Sequence, residues 1–464
     1  MDDLNNADSA HILKVLAINI CEFEPATITP HGLHIAKMGI TDTIGVTIAG
    51  LQETCVQVLL KTPGVGDSIG PALIFGTNRR TSALDAAFLN GTASHALDFD
   101  DFSSVMGGHQ SVPLVAPLFA LADELGLSGQ TIIEAYVVGL EVEHRFARAV
   151  HPHHYDKGWH PTSTLGIFGT VAACAYVKNL DVEKTATALA IAASMASGLK
   201  ANFGTMTKPL HVGHSARSGL LATYLAAGGF EANTSIIEHQ QGFLNVYNGK
   251  GLFDPKPLIE SWSVPLNIEL PTLSLKQFAC CGSMHQAIFA MLDLAKGEDI
   301  DPTCVAGVDI RLHQRRLLHT NNQFPTSVLQ AKFSVQYAVA RVLQYRTLLL
   351  KDFAEDTIAD PAVRRLLYIT SVHPLHETDE GPNGLWDARV SVTLNDGRVL
   401  TRDVINMVGR CGDNAMTCDE LHEKFNDCSG FLLSKETSDQ VFNSLMSLEQ
   451  CGHLGDITKF LAAE

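Results

Sequence analysis

The chain has 464 residues, 46% hydrophobic and 18% charged, which excludes disorder and gives ample length for two or three domains at roughly 150 residues each. Fifty acidic against thirty-three basic side chains leave a net charge of −17, a sign that repels nucleic-acid phosphates and anionic membrane surfaces. The first ten residues lack the basic-then-apolar order of a secretory signal, and no stretch reaches eighteen uninterrupted apolar residues. The expectation is a soluble, cytoplasmic protein without nucleic-acid or membrane partners.

In chain order, the first 250 residues carry a helical period. Segments 111–125, 163–178 and 183–198 are rich in Ala, Leu and Gly and read as buried helices. A further helix is predicted over about 131–149, with Thr131 and Glu134 at capping-box spacing ahead of Ile133, Tyr136, Val137 and Leu140. Pro255, Pro257, Pro265 and Pro271 interrupt regular structure between 251 and 275, where a domain boundary is placed. Beyond it, Val308, Ile310 and Leu312, and later Val390, Val392 and Leu394, alternate with polar residues as half-buried strands do. Asn395-Asp396-Gly397 signals a hairpin before Val399 and Thr401 resume extended character. A helix over 327–346 would cover that sheet, giving a small α+β domain. After 405 the helical period returns, with a capping box at Thr437 and Gln440, and this tail is expected to pack on the first domain.

Three segments concentrate chemistry. His95-Ala-Leu-Asp98-Phe-Asp100-Asp101 crowds three carboxylates that repel one another, and Gly107-Gly108-His109 follows, where paired glycines allow close backbone approach. His151-Pro-His153-His154 runs on to Trp159-His160-Pro161-Thr162-Ser163. His160, just ahead of a helix, is the first choice for acid–base work, whereas His151, His153 and His154 read as an exposed polar loop. Histidines split by prolines lack the i, i+4 face of helical zinc sites, so no metal is expected. In the third segment Lys208, ahead of Pro209, is predicted in an extended or turn conformation that aims its ammonium at a carboxylate. His211, His214 and Arg217 keep it company. Two weaker segments hold Cys280-Cys281 with His285, and His319 ahead of Phe324-Pro325. The ten cysteines show no CxxC pair and read as reduced and structural, Cys280 and Cys281 as packing.

Neither a GxGxxG, a GxxxxGK[ST] nor a GxSxG is present, so nucleotide binding and serine-hydrolase chemistry lack their usual hardware. The stretches ALDAAFLNGTASHALDFDD (83–101), GWHPTS (158–163), TKPLHVG (207–213), Gly242-Phe243 and 278–285 together resemble the MmgE/PrpD family. That resemblance implies a mainly α fold: a large all-helical domain from both chain ends (1–265 and 405–464) and an inserted α+β domain (266–404). It further implies a homodimer and an active site between the domains for a small anionic polycarboxylate, worked without metal or organic cofactor. In the family's decarboxylase members, functional residues fall on the positions that are here Asp98, His109, His160, Lys208 and His285.

Two positions depart from the family's decarboxylase pattern: Phe102 stands where a threonine is expected, and His319 where a tyrosine is. These departures disfavour cis-aconitate decarboxylation; among the family's members the chain resembles most the iminodisuccinate epimerases, with 2-methylcitrate dehydration as the alternative. The expected chemistry is proton removal beside a carboxylate. Lys208, with Arg217, would offset the developing charge, His160 with Lys208 or His109 would exchange the proton, and Asp98 would orient a histidine. Arg217, His285, His319 and Phe102 are expected to line the substrate. A catalytically silent binding scaffold is the reading from outside enzymology.

Overall fold

In the computed structural model, residues 12–463 are described except 263, 272, 376–386, 406, 408 and 409. The chain is mainly helical and divides into two compact units, one running to Leu275 and resuming at Met416, the other Lys276–Ala415.

The first unit is a helical assembly. Its helices include Pro30–Gly50, Ala83–His95, Val112–Leu125, Gly129–Val150, Gly166–Val177, Val182–Met195 and Thr207–Ala227, with Cys418–Ser429 and Lys435–Met446 from the tail. Several are buried almost all round, as their Ala- and Gly-rich composition demands. Ala83–His95 and Thr207–Ala227 lie side by side and come into close contact at Gly91 and Gly213. A Cβ on Gly213 would come within 2.3 Å of the Phe88 carbonyl oxygen. Only glycine permits that spacing, and it brings the first turn of one helix to the loop that leaves the other.

Among the described residues no single helix is long and apolar enough to cross a membrane. The pair Pro30–Gly50 and Thr54–Leu60, bent by 75°, passes by length and composition, yet every residue from Met38 to Gly50 is buried inside the protein.

The second unit carries a four-stranded sheet in the order Thr370–Pro374, Val305–Leu312, Ala388–Leu394, Val399–Val404. The first pair is parallel and the others antiparallel, with Val308 opposite Val392 and Ile310 opposite Val390. The alternating residues Val308, Ile310, Leu312, Val390 and Val392 are buried, and helices His285–Gly297 and Val335–Tyr345 pack on the sheet.

Local signals differ from expectation in several places. The 131–149 helix spans Gly129–Val150 and is capped by Ser128, whose hydroxyl accepts from the Thr131 amide at 3.2 Å. The tail helix expected to begin at a Thr437/Gln440 box is likewise capped by Ser434, three residues earlier, while a reciprocal box forms at Thr417 and Glu420. In both places a serine upstream outcompeted the predicted cap. The single helix expected over 327–346 is two, Val328–Ala331 and Val335–Tyr345, because Ser334 caps the second and ends the continuity.

Candidate active site

Three loops and helix ends of the first unit converge. Ala83–His95 ends in a tight turn at Asp98, whose φ of 53° is left-handed, a conformation in which Asp is enriched and which re-aims its carboxylate. Facing it, Lys208 is the second residue of the Thr207–Ala227 helix. This corrects the extended conformation expected ahead of Pro209: a proline in a first turn forfeits no helical hydrogen bond, so the helix begins at Thr207. Lys208 Nζ donates to Asp98 Oδ1 at 2.5 Å, with both side chains almost wholly buried. His109 Nε2 lies 3.5 Å from the same oxygen.

Asp100 stands behind this pair and holds two imidazoles. His95 Nδ1 is 2.9 Å and His109 Nδ1 2.8 Å from Asp100 Oδ2. Burial alone would raise the Asp100 pKa, but the two imidazoles outweigh it and keep the carboxyl well below its usual range. His95 is pushed down to about 3, by burial first, against the pull of Asp100. At neutral pH an ionised Asp100 therefore accepts from a neutral His95.

His160 completes the cluster. It is the N-cap residue of the turn Pro161–Thr164, its carbonyl accepting from the Ser163 and Thr164 amides. Its ring is fully buried, 5.7 Å from that of His95 and edge-on to Phe203 at 4.9 Å. Burial, then His95, Lys208, His211 and His109 in that order, drives its pKa well below normal. Nδ1 meets His211 Nδ1 at 3.1 Å, while Nε2 has no hydrogen-bond partner among the described residues. The glycines before His109 shape its loop. Gly107 has φ +63°, and a Cβ on Gly108 would sit 2.8 Å from the Thr162 amide, beside the bond from the His109 amide to Thr162 Oγ1 at 3.0 Å.

His95, Asp98, Asp100 and His109 each offer one ligand atom within 4.8 Å of the others, a spacing compatible with a cation. The Lys208 ammonium, 2.5 Å from Asp98, already supplies positive charge at this point.

Beneath the cluster lies a buried acidic layer. Asp101 accepts from the Ser111 hydroxyl, which is 2.5 Å from the Tyr136 hydroxyl. Burial first, then Asp42 and Asp100, raises Asp101 to about 8. Glu143, with neither carboxylate oxygen hydrogen-bonded among the described residues, is raised well above normal by burial and by Asp101. Burial thus favours the neutral acid at both, which eases the repulsion that the crowded carboxylates imply.

Asp98, His109, His160 and Lys208 thus come together, as the sequence suggested. Arg217 does not join them: it is nine residues along the helix from Lys208, about 13 Å at 1.5 Å per residue, and lies 3.7 Å from Asp85 at the far end of the neighbouring helix. Phe102 is buried and pairs through its backbone with Ser274. His285 and His319 belong to the second unit. There His285 Nε2 is 3.4 Å from the Cys280 carbonyl, and His319 Nε2 is 3.0 Å from the Ser283 hydroxyl. His154 is not exposed, as expected for its loop, but buried between Asn248 at 2.9 Å and Thr164 at 2.7 Å; His151 and His153 are exposed. The residues that sequence reasoning left without roles are His95, Asp100 and His211. The signal for His211 was its position one helical turn after Lys208.

Comparison with known proteins gives this cluster a chemical setting. The chain is 28% identical over 445 residues to a cis-aconitate decarboxylase of Homo sapiens, covering 93% of this chain and 91% of the human one. It is 26% identical over 449 residues to a cis-aconitate decarboxylase of Aspergillus terreus (92% and 91%), and 26% identical over 465 residues to the cis-aconitate decarboxylase-like protein oryM of Aspergillus oryzae (96% of each). These relatives carry the name cis-aconitate decarboxylase or decarboxylase-like protein, which overturns the expectation of an iminodisuccinate epimerase; the departures at Phe102 and His319 weigh less than similarity along nearly the whole chain. The MmgE/PrpD N-terminal domain matches residues 14–256 and the C-terminal domain residues 278–448, and the chain belongs to the MmgE/PrpD family.

Proposed function

We propose that this protein is a lyase that removes carbon dioxide from a small unsaturated polycarboxylate of the cis-aconitate class. The observation that carries the reading is the buried Lys208–Asp98 pair at 2.5 Å, flanked by His109 and His160. Loss of carbon dioxide leaves an electron pair spread over the double bond and a remaining carboxylate. An ammonium in a water-poor cluster stabilises that charge more than it stabilises the ground state. The carbon then needs one proton, and an imidazole N–H is the group to supply it. Asp98 holds Lys208 in place until substrate carboxylates share the ammonium, and Asp100 orients His109 through Nδ1. The similarity to named decarboxylases supports the same chemistry.

The test is to incubate purified protein with cis-aconitate in deuterated water, following carbon dioxide release and one carbon-bound deuterium per product. An inert cis-aconitate alongside dehydration of 2-methylcitrate to an alkene would replace this reading with a dehydratase.

A further inference from the structure

The decarboxylation read above consumes a proton from solvent at each turnover, yet His160 is only 1% exposed. The outlet is the contact between His160 Nδ1 and His211 Nδ1 at 3.1 Å. At that distance two lone pairs repel and two N–H groups clash, so one proton lies between the rings and each ring fixes the tautomer of the other. His211 is half-buried, on the helix that carries Lys208 and one turn before exposed His214. Its ring is held at Gly198, where a Cβ would lie 3.4 Å from it, and the Gly198 carbonyl accepts from the His160 amide at 3.0 Å. A second, independent observation is the His160 Nε2, buried and without a hydrogen-bond partner among the described residues.

We propose that His211 is a positioning residue that donates Nδ1–H to His160 Nδ1, keeping the proton of His160 on Nε2, and that it carries solvent protons to His160. The inference rests on the lyase reading only for its turnover step. In that step the substrate C–C bond breaks, carbon dioxide leaves, and the electron pair moves through the double bond onto the carbon that takes the proton from His160 Nε2. His160 Nδ1 then takes the proton of His211 Nδ1 while His211 Nε2 takes one from water, which leaves both rings in the opposite tautomer. After product leaves, the shared proton moves back to His211 Nδ1, His211 Nε2 releases its proton, and His160 Nε2 takes one from water admitted to the emptied site, so a trianion plus one proton has become a dianion plus carbon dioxide and both rings are reset. His211 itself is held low, at about 4, by burial, His214 and Lys208, so at neutral pH it stands as a neutral imidazole with one N–H to share with His160.

The experiment uses the full chain labelled with 15N in histidine, the two rings being assigned with His160→Gln and His211→Asn. Wild type is expected to show His160 protonated at Nε2 and bare at Nδ1. His211→Asn, whose amide N–H stands near the place of Nδ1, should keep that signature, and His211→Leu should lose it. With cis-aconitate, His211→Asn should lower kcat on the order of 10- to 100-fold, below the full range of acid–base catalysis, with KM little changed, and added imidazole should restore the rate. A wild-type His160 protonated at Nδ1, an unchanged signature in His211→Leu, or full kcat in His211→Asn would overturn the proposal. A wild type inert toward cis-aconitate removes the lyase reading alone, and the spectra still decide on His211.

Discussion

Lys208 and Asp98 are each almost wholly buried and 2.5 Å apart, so neither charge is tolerable there without the other. Lys208→Met is expected to reduce kcat/KM by about 10²- to 10³-fold, the usual cost of losing one charge-stabilising donor. Lys208→Arg should fare little better, because a planar guanidinium does not reproduce a compact ammonium against one carboxylate oxygen. Steady-state kinetics with far-UV circular dichroism separate lost chemistry from lost fold. Asp98→Asn should keep its φ of 53° more readily than Asp98→Ala, since asparagine tolerates the left-handed region, and should melt higher than the alanine variant. The buried histidines and the acidic layer make stability depend on pH in two opposed ways. His95 and His144 are lowered to about 3 by burial, so their contribution is present above their ordinary pKa of 6.5 and is lost as pH falls toward 3. Asp101 is raised from 3.8 to about 8, so its contribution is complete below pH 3.8 and is lost as pH rises to 8. Asp101→Asn cannot ionise, so its melting temperature should gain on wild type progressively from pH 5 to pH 8, by about a few degrees.

Helix contacts set where these groups stand. The approach at Gly213 leaves no room for a methyl group against the Phe88 carbonyl. Gly213→Ala should therefore cost about 1–3 kcal/mol by denaturant titration, as overpacking does. It should also lower turnover, since the same helix carries Lys208 and His211. Gly108→Ala tests the other wall: a Cβ there meets the Thr162 amide and hydroxyl, so the His109 loop must lift, and activity should fall more than stability.

The tail contributes to the site from far along the chain. Lys424, on the Cys418–Ser429 helix, is 2.6 Å from Asp42 of the Pro30–Gly50 helix and donates to the Phe99 carbonyl at 2.8 Å, between Asp98 and Asp100. One buried ammonium thus ties together the tail, a core helix and the turn that carries Asp98. Lys424→Met should destabilise the protein by about 3–5 kcal/mol, because it strands the Asp42 charge. The double variant with Asp42→Leu should recover much of that loss in the same denaturation experiment while remaining poorly active, the Phe99 carbonyl having lost its donor.

Element type and site composition were legible in the one-dimensional pattern. Alternation marked the strands Val305–Leu312 and Ala388–Leu394, small-residue helices announced burial, and four of the side chains now clustered were named from their motifs. Those features depend on spacing along the chain and on residue chemistry, which the sequence carries entire. Helix starts were less legible, since Ser128, Ser334 and Ser434 compete with neighbouring caps by differences of about 1 kcal/mol or less. Nor could Arg217 be separated from Lys208, because both lie on one helix and only the packing of its neighbour shows which end meets the carboxylates. The pairing of Asp100 with two imidazoles, the neutral state of Asp101 and the contact of His160 with His211 were decided by tertiary structure alone. Protonation follows from desolvation and from distances of about 3 Å, and neither exists until distant segments have packed.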